Sequence, residues 1–371
     1  MKNNFLKKYS ESLNKSDQFS ENETIPILMG LYGEVGDIMA TSKKFYREKK
    51  AYIGHRNAVE EEFGDALWYF SALCRRLKVN IDDLFLSEAT KLQLSLTGKA
   101  LTSHGDLVTK ELDTALVKLG HIAAQLLNES RSGAMVNYLP LFAQQYLVAL
   151  ALTGLDLRSI ADENLKKTLG RFTEPEPKSL EDFDASYPED ERLPQRFEIE
   201  IFQKTSGLTY LRWNGVFIGD PLSDNIEVPD GYRYHDVFHM AHAAILHWSP
   251  TFRALIKHKR KSDPATDKDQ DGGRAIVVEE GLTAWVFSYA QGIENFEGHD
   301  KVSFDVLKTI HKFVQGYEVD RCPLKLWEHA ILQGYAVFRK IKENNGGIVV
   351  GSRIERSLTY KPPRDKIYEH Q

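Results

Sequence analysis

The stretch EEEFGDALWYFSALCRRL, residues 60–77, decides the reading of this chain. Its apolar residues Ala66, Leu67, Phe70, Leu73 and Leu77 recur at three- and four-residue spacings, the period of a helix with one buried face. Glu60, Glu61, Glu62 and Asp65 stand just ahead of them or among them, so acids lead straight into a helix that enters a core. Glu62 and Asp65, at i and i+3, share a face and form a two-carboxylate patch. A second patch of the same kind lies upstream, in Gly33-Glu34-Val35-Gly36-Asp37, where Glu34 and Asp37 are again three apart. Glycine inside a helix costs about 1 kcal/mol against alanine. Gly33, Gly36 and Gly64 therefore read as places where helices approach closely.

One such pair alone is usually a solvated helix face. Two pairs on an antiparallel helix pair would concentrate four negative charges, which is costly unless a divalent cation neutralises them. All-oxygen ligands select magnesium (Mg2+) or manganese (Mn2+) over zinc. Magnesium keeps several waters and is completed by substrate phosphates, so the expected ligand is a nucleotide polyphosphate, attacked by a metal-activated water.

Glu34-x-x-Asp37, a spacer over residues 38–61, and Glu62-x-x-Asp65 resemble the signature of the MazG-like nucleotide pyrophosphohydrolases, ExxE followed by ExxD in a helical bundle. Asn80-Ile81-Asp82-Asp83-Leu84 resembles the start of that family's next helix, and the likeness covers roughly residues 25–95. Asp37 departs from the usual glutamate. The resemblance implies cleavage of a nucleoside triphosphate between its α- and β-phosphates, giving monophosphate and pyrophosphate. It carries Glu34, Asp37, Glu62 and Asp65 over as magnesium ligands and Glu61 as an outer carboxylate or base, so that Glu61 and Glu62 are the catalytic candidates. Lys43, Lys44, Arg47 and Trp68 are candidates for substrate contact. It also implies a bundle completed by pairing, through a homo-oligomer or through an internal repeat.

Outward from this motif, helical periodicity runs from about Ile25 to Phe172. Within it, Lys78–Leu84 and Gly154–Ile160 each open a helix after a long apolar one, which reads either as a degenerate repeat (active half about 25–95, second copy about 110–172) or as two unrelated hairpins. Residues 173–194 hold Pro175, Pro177, Pro188 and Pro194 among many acids and read as a linker. Next, FEIEIFQKTSGLTYLRWNGVFIGD alternates with period two and breaks at Thr205-Ser206-Gly207, the pattern of a β-hairpin. Helices are expected over about 232–258, 274–289 and 302–344, with an Asp-rich loop between the first two and an irregular tail around Pro362-Pro363. The expected fold is mainly α: a helical bundle over residues 1–172, a linker, and a mostly helical α+β domain with a short β-hairpin over 195–371.

That second domain carries Tyr234-His235-Asp236-Val237-Phe238-His239-Met240-Ala241-His242. His235, His239 and His242 fall at i, i+4 and i+7, one helix face, and Glu279 and Glu280 open a later apolar helix. Histidines on one helix with a carboxylate from another can hold zinc, iron or manganese, or act as acid and base without metal. Asp236 belongs to the same candidate site. The arrangement resembles the C-terminal region attached to some MazG-like proteins.

Bulk composition sets the frame for these sites. The chain has 371 residues, 42% hydrophobic and 27% charged, ordinary for soluble globular domains. A formal net charge of −5 gives no bulk attraction for nucleic acid or an acidic membrane. The two cysteines, Cys74 and Cys322, form no CxxC pair, which argues against thiolate zinc sites and a disulfide framework. Residues 1–14 lack the apolar core of a signal peptide. No stretch is read as reaching the roughly 20 apolar residues of a bilayer span, and a cytoplasmic setting is expected, in nucleotide-pool control, stress response or antiviral defence. Two rival functions stand beside the pyrophosphohydrolase: a metal-dependent hydrolase centred on the histidine cluster with the bundle as nucleotide sensor, and a non-catalytic nucleotide-binding regulator.

Overall fold

The computed structural model describes residues 4–94, 110–131 and 134–363. The chain forms two compact units, Met1–Thr173 and Glu174–Gln371. As expected, it is mainly helical with its strands in the second unit.

The first unit is a bundle of α1 (Phe5–Leu13), α2 (Ile25–Glu48), α3 (His55–Arg76), α4 (Ile81–Lys91), α5 (Lys110–Asn128), α6 (Leu139–Thr153) and α7 (Leu157–Phe172). Local chemistry sets the ends. The Asn80 side chain accepts from the amides of Asp82 and Asp83 to start α4, and Asp156 accepts from Ser159 to start α7. Between these caps and the following lysines the two helices match, Lys91 standing in α4 where Lys167 stands in α7. Packing is reciprocal as well: α2 lies on α5, α3 on α7, and α6 on α4. The unit's core is aromatic where the halves meet, with Phe70 stacked on Phe142 at 4.5 Å and the Tyr146 hydroxyl donating to the Phe63 carbonyl at 2.8 Å.

One expectation needs correction. Ala134–Thr153 is long and apolar enough to cross a membrane, with a mean hydropathy of 1.3. Its apolar residues Leu139, Phe142, Ala143, Leu147 and Leu150 are buried in the bundle, so the composition is that of a core helix packed between α4 and α5.

The second unit joins a five-stranded antiparallel sheet to a group of helices. The strands are β1 (Arg196–Gln203), β2 (Thr209–Trp213) and β3 (Val216–Leu222) at its start, then β4 (Gly346–Ser352) and β5 (Ser357–Lys361) near its end, in the order β3-β2-β1-β4-β5. The expected turn at Gly207 joins β1 to β2, with Gly207 at φ +83°. A second turn, Asn214-Gly215, has positive φ at both residues and adds β3. Residues 346–361, for which no element was expected, supply β4 and β5; Pro362 and Pro363 lie outside regular structure as expected, and residues 364–371 lie outside the described ones. β4 fits against β1 because it is glycine-rich: a Cβ on Gly351 would lie 2.1 Å from the Phe197 ring. Phe197, Ile199 and Ile201 point inward from β1.

The helices are α8 (Asp236–Ala241), α9 (Pro250–Ile256), α10 (Pro264–Asp269), α11 (Gly273–Gln291), α12 (Phe304–Phe313) and α13 (Leu324–Asn344). The stretch expected as one helix over 232–258 is broken: α8 runs into a π-helical turn, His242–Leu246, and stops at His247, whose φ is +60°. Ser249 and Pro250 then start α9. Residues 302–344 likewise form two helices, parted by a segment holding Gly316 and Pro323.

Residues 174–194, expected as a linker, belong to the second unit. Asp184 is fully buried there, accepts from the Leu193 amide at 2.8 Å, and meets the guanidiniums of Arg253, Arg260 and Arg353. Arg260 is fully buried on Asp271 and Glu318.

Candidate functional site

The carboxylates of the first unit lie where α2 crosses α3. That crossing is close because of Gly30, where a Cβ would lie 2.1 Å from the Tyr69 ring. Among the described residues, nothing beyond their own helix backbone lies within 4 Å of where a Cβ on Gly33 or Gly36 would sit, so the close-approach role expected of them belongs to Gly30. One turn beyond it, Glu34 meets Glu62 and Asp65 of α3, with one oxygen from each carboxylate within 4.8 Å of the others. All three are half-buried. Asp37 is exposed and stands outside this trio, although its charge still acts on Glu34 and Glu62. Burial, then the negative charges of Asp65 and the other acids, pushes Glu34 up to about 8 and Glu62 up to about 7.

The cation at this site comes from the second half of the bundle. Lys167 of α7 donates to both oxygens of Asp65 at 2.5 and 2.6 Å and to Glu61 at 3.3 Å. Burial opposes its charge, but Asp65 and Glu61 outweigh burial and hold the ammonium above its usual range. Asn164, one turn earlier, donates to Asp65 at 2.8 Å and accepts from the buried Tyr9 hydroxyl at 2.8 Å. Gly64 makes room for it, since a Cβ there would sit 3.0 Å from Asn164 Cβ. Ser159 Oγ donates to Glu60 at 3.1 Å. In α4, Lys91, at the same distance from its helix cap as Lys167, pairs with its own neighbour Glu88 at 2.6 Å.

Other expected contacts fall elsewhere. Lys43 is exposed and lies nine residues beyond Glu34, about 13 Å along the helix. Lys44 lies over the Tyr52 ring at 4.3 Å, and Arg47 pairs with Glu48 at 2.6 Å. The Trp68 indole is buried and donates to Ser16 Oγ at 3.2 Å, which makes it a core residue. Asn164 and Lys167 were missed; the signal for them was an Asn-x-x-Lys on one helix face in the half of the bundle without counterparts of Glu34 and Glu62.

In the second unit, His235, His239 and His242 converge on Glu279 and Glu280 of α11, and Asp236 is buried beside them. Glu279 is fully buried and fully engaged. His242 Nδ1 lies 2.9 Å from its Oε1, while Ser249 Oγ and the Thr251 amide donate to Oε2 at 3.0 and 2.9 Å. Burial works against its charge, yet His239 and these hydrogen bonds hold it below the ordinary carboxylate range. His239 Nδ1 is 3.1 Å from Glu279 and Nε2 is 3.4 Å from Glu280. His235 Nε2 is 3.6 Å from Glu280 and 4.0 Å from Asp236. The His235 ring stacks on Tyr232 at 4.3 Å, and its Nδ1 lies 2.8 Å from the Tyr232 carbonyl.

Comparison with known proteins places this geometry. The family model of the MazG C-terminal domain matches residues 178–364, half of the chain, and spans the histidine and Glu279-Glu280 cluster. The Gene 37 protein of Mycobacterium phage L5 is 32% identical over 82 residues, 22% of this chain and 72% of that protein. No solved structure matches the chain significantly.

Proposed function

The chain belongs to the MazG C-terminal domain family, and on that premise we propose that its first unit is a magnesium-dependent nucleoside triphosphate pyrophosphohydrolase. The observation that carries this reading is the meeting of Glu34, Glu62 and Asp65 beside Lys167. Three carboxylates this close repel one another, and burial together with that repulsion pushes Glu34 and Glu62 up. An all-oxygen donor set of this charge fits a hard divalent ion, so these three residues would hold magnesium or manganese. When bound, such an ion polarises a phosphoryl oxygen and makes a bound water a better nucleophile.

The chain's own groups do the rest. Asn164 and Lys167 fix the Asp65 carboxylate from α7, so its orientation does not depend on solvent. The Lys167 ammonium supplies positive charge where a polyphosphate would approach, a role first assigned to Lys43, Lys44 and Arg47. Glu61, 3.3 Å from Lys167, is the carboxylate next to the trio and is the proposed acceptor of the proton lost by the attacking water. The reciprocal packing of the halves supports a bundle that completes its core within one chain, the internal alternative to a homodimer.

Glu62→Gln tests the assignment. It should abolish magnesium-dependent pyrophosphate release while leaving the helical circular dichroism signal intact. Unchanged release would remove the carboxylate trio from the reaction.

A further inference from the structure

We propose that the second unit binds a divalent transition-metal ion, zinc in the first instance, through His235 Nε2, His239 Nε2 and the Glu280 carboxylate, with Glu279 orienting His239 from behind. The inference is independent of the reaction proposed for the first unit.

Hydrogen-bond partners choose the nitrogens. His235 Nδ1 faces the Tyr232 carbonyl at 2.8 Å, and a carbonyl only accepts. Nδ1 therefore carries the proton, and Nε2 keeps its lone pair on the side of Glu280. His239 is the more telling residue. It has no exposed surface, and its Nδ1 and Nε2 stand 3.1 and 3.4 Å from the Glu279 and Glu280 carboxylates, close enough for ion pairs but off the line of a regular hydrogen bond. Buried polar atoms almost always find partners, and leaving one without is costly. An ion on Nε2, with the Nδ1 proton turned to Glu279, accounts for both nitrogens at once. A carboxylate behind a ligating imidazole is the usual way of fixing its ring and tautomer.

Spacing agrees. Ligands bound at 2.0–2.1 Å in a tetrahedral site lie roughly 3.3 Å from one another. Glu280 Oε1 is 3.4 Å from His239 Nε2 and its Oε2 is 3.6 Å from His235 Nε2, and one donor atom from each of the three residues falls within 4.8 Å of the others. The neighbouring trio of His239, His242 and Glu279 is a poorer candidate, because His242 and Glu279 already bond to each other and Ser249 and Thr251 complete Glu279. Exposure is one-sided: the Glu279 side chain shows 0% of its surface and that of Glu280 37%. Three protein ligands with one accessible edge leave a position for water, the layout of a reactive rather than a purely structural zinc site. Two imidazoles and a carboxylate also favour zinc, iron or manganese over magnesium, which separates this site from the all-oxygen trio.

The test uses the full chain, stripped with a chelator and titrated with Co2+ and then Zn2+. We expect one equivalent of Co2+ bound with a Kd below about 1 μM, with visible absorption of a low-coordinate nitrogen-ligated ion, displaced by Zn2+. Glu280→Gln and His235→Gln, at partly exposed positions, should each weaken binding at least tenfold while the circular dichroism spectrum is kept. Glu62→Gln should leave the nitrogen-ligated absorption unchanged, whatever it does to Co2+ on the all-oxygen trio. Absence of that absorption in the folded chain would overturn the proposal. So would absorption insensitive to both Glu280→Gln and His235→Gln, or absorption lost only with Glu62→Gln.

Discussion

Taking the metal-free protein from pH 5 to pH 8.5 removes protons from Glu34 and Glu62, which burial and the neighbouring acids hold up at about 8 and about 7. The ordinary glutamate value of 4.5 applies to the unfolded chain. Between 4.5 and these raised values the folded state binds more protons than the unfolded state, so stability from this source falls as pH rises. It is complete below about 4.5 and gone above about 8. A tenfold change in proton affinity is about 1.4 kcal/mol, so full burial would place roughly 4–5 kcal/mol on Glu34 and about 3 kcal/mol on Glu62. Both side chains are half-buried, and water screens charges that it reaches. A combined loss of about 2–4 kcal/mol remains. Hydrogen exchange followed by mass spectrometry reads it locally: the opening free energy of α2 and α3 amides, corrected for intrinsic exchange, should fall by that amount. Millimolar Mg2+ should flatten the slope, because a cation takes over from the protons. An opening free energy that stays level or rises between pH 5 and pH 8.5, or one indifferent to Mg2+, would refute the repulsion from which the site is argued.

Other perturbations separate the parts. Lys167→Met should lower kcat by about a hundredfold, the usual cost of one positioned charge, and steady-state pyrophosphate release measures it. Gly30→Ala forces a methyl into the Tyr69 ring and should cost about 1–3 kcal/mol in urea unfolding. Gly33→Ala, with open space around it, should instead stabilise α2 by up to about 1 kcal/mol. Asp184→Asn leaves three arginines facing a neutral group and should cost the second unit about 3–5 kcal/mol. For a unit of that size this is a fall of roughly 10 °C in its calorimetric Tm.

The bundle was readable because its signal is local. Ala66, Leu67, Phe70 and Leu73 repeat at the helical period and are buried as that period requires. Glu34, Glu62 and Asp65 were readable for the same reason, since i, i+3 spacing puts acids on one face. Lys167 was not: it reaches Asp65 across 102 residues of chain, and nothing in the periodicity around residue 167 points to residue 65. Lys43, Lys44 and Arg47 were chosen because they are near in sequence, yet a helix carries them away from Glu34. Composition misled at residues 173–194. A run of prolines and acids looks solvated until Arg253, Arg260 and Arg353 arrive from elsewhere to neutralise Asp184. β4 and β5 escaped because they are short, glycine-rich and paired with the distant β1. β3 was missed as well, although Asn214-Gly215 ahead of it is the dipeptide of a tight hairpin turn.

The central claim is that the carboxylate trio hydrolyses nucleoside triphosphates between the α- and β-phosphates. The purified 371-residue chain should be incubated with ribo- and deoxyribonucleoside triphosphates and Mg2+, and the products followed by chromatography and phosphorus NMR. The account predicts monophosphate and pyrophosphate in equal amounts from at least one nucleotide, with no product from Glu62→Gln. Diphosphate and orthophosphate, or no turnover of any nucleotide by the folded protein, would contradict it.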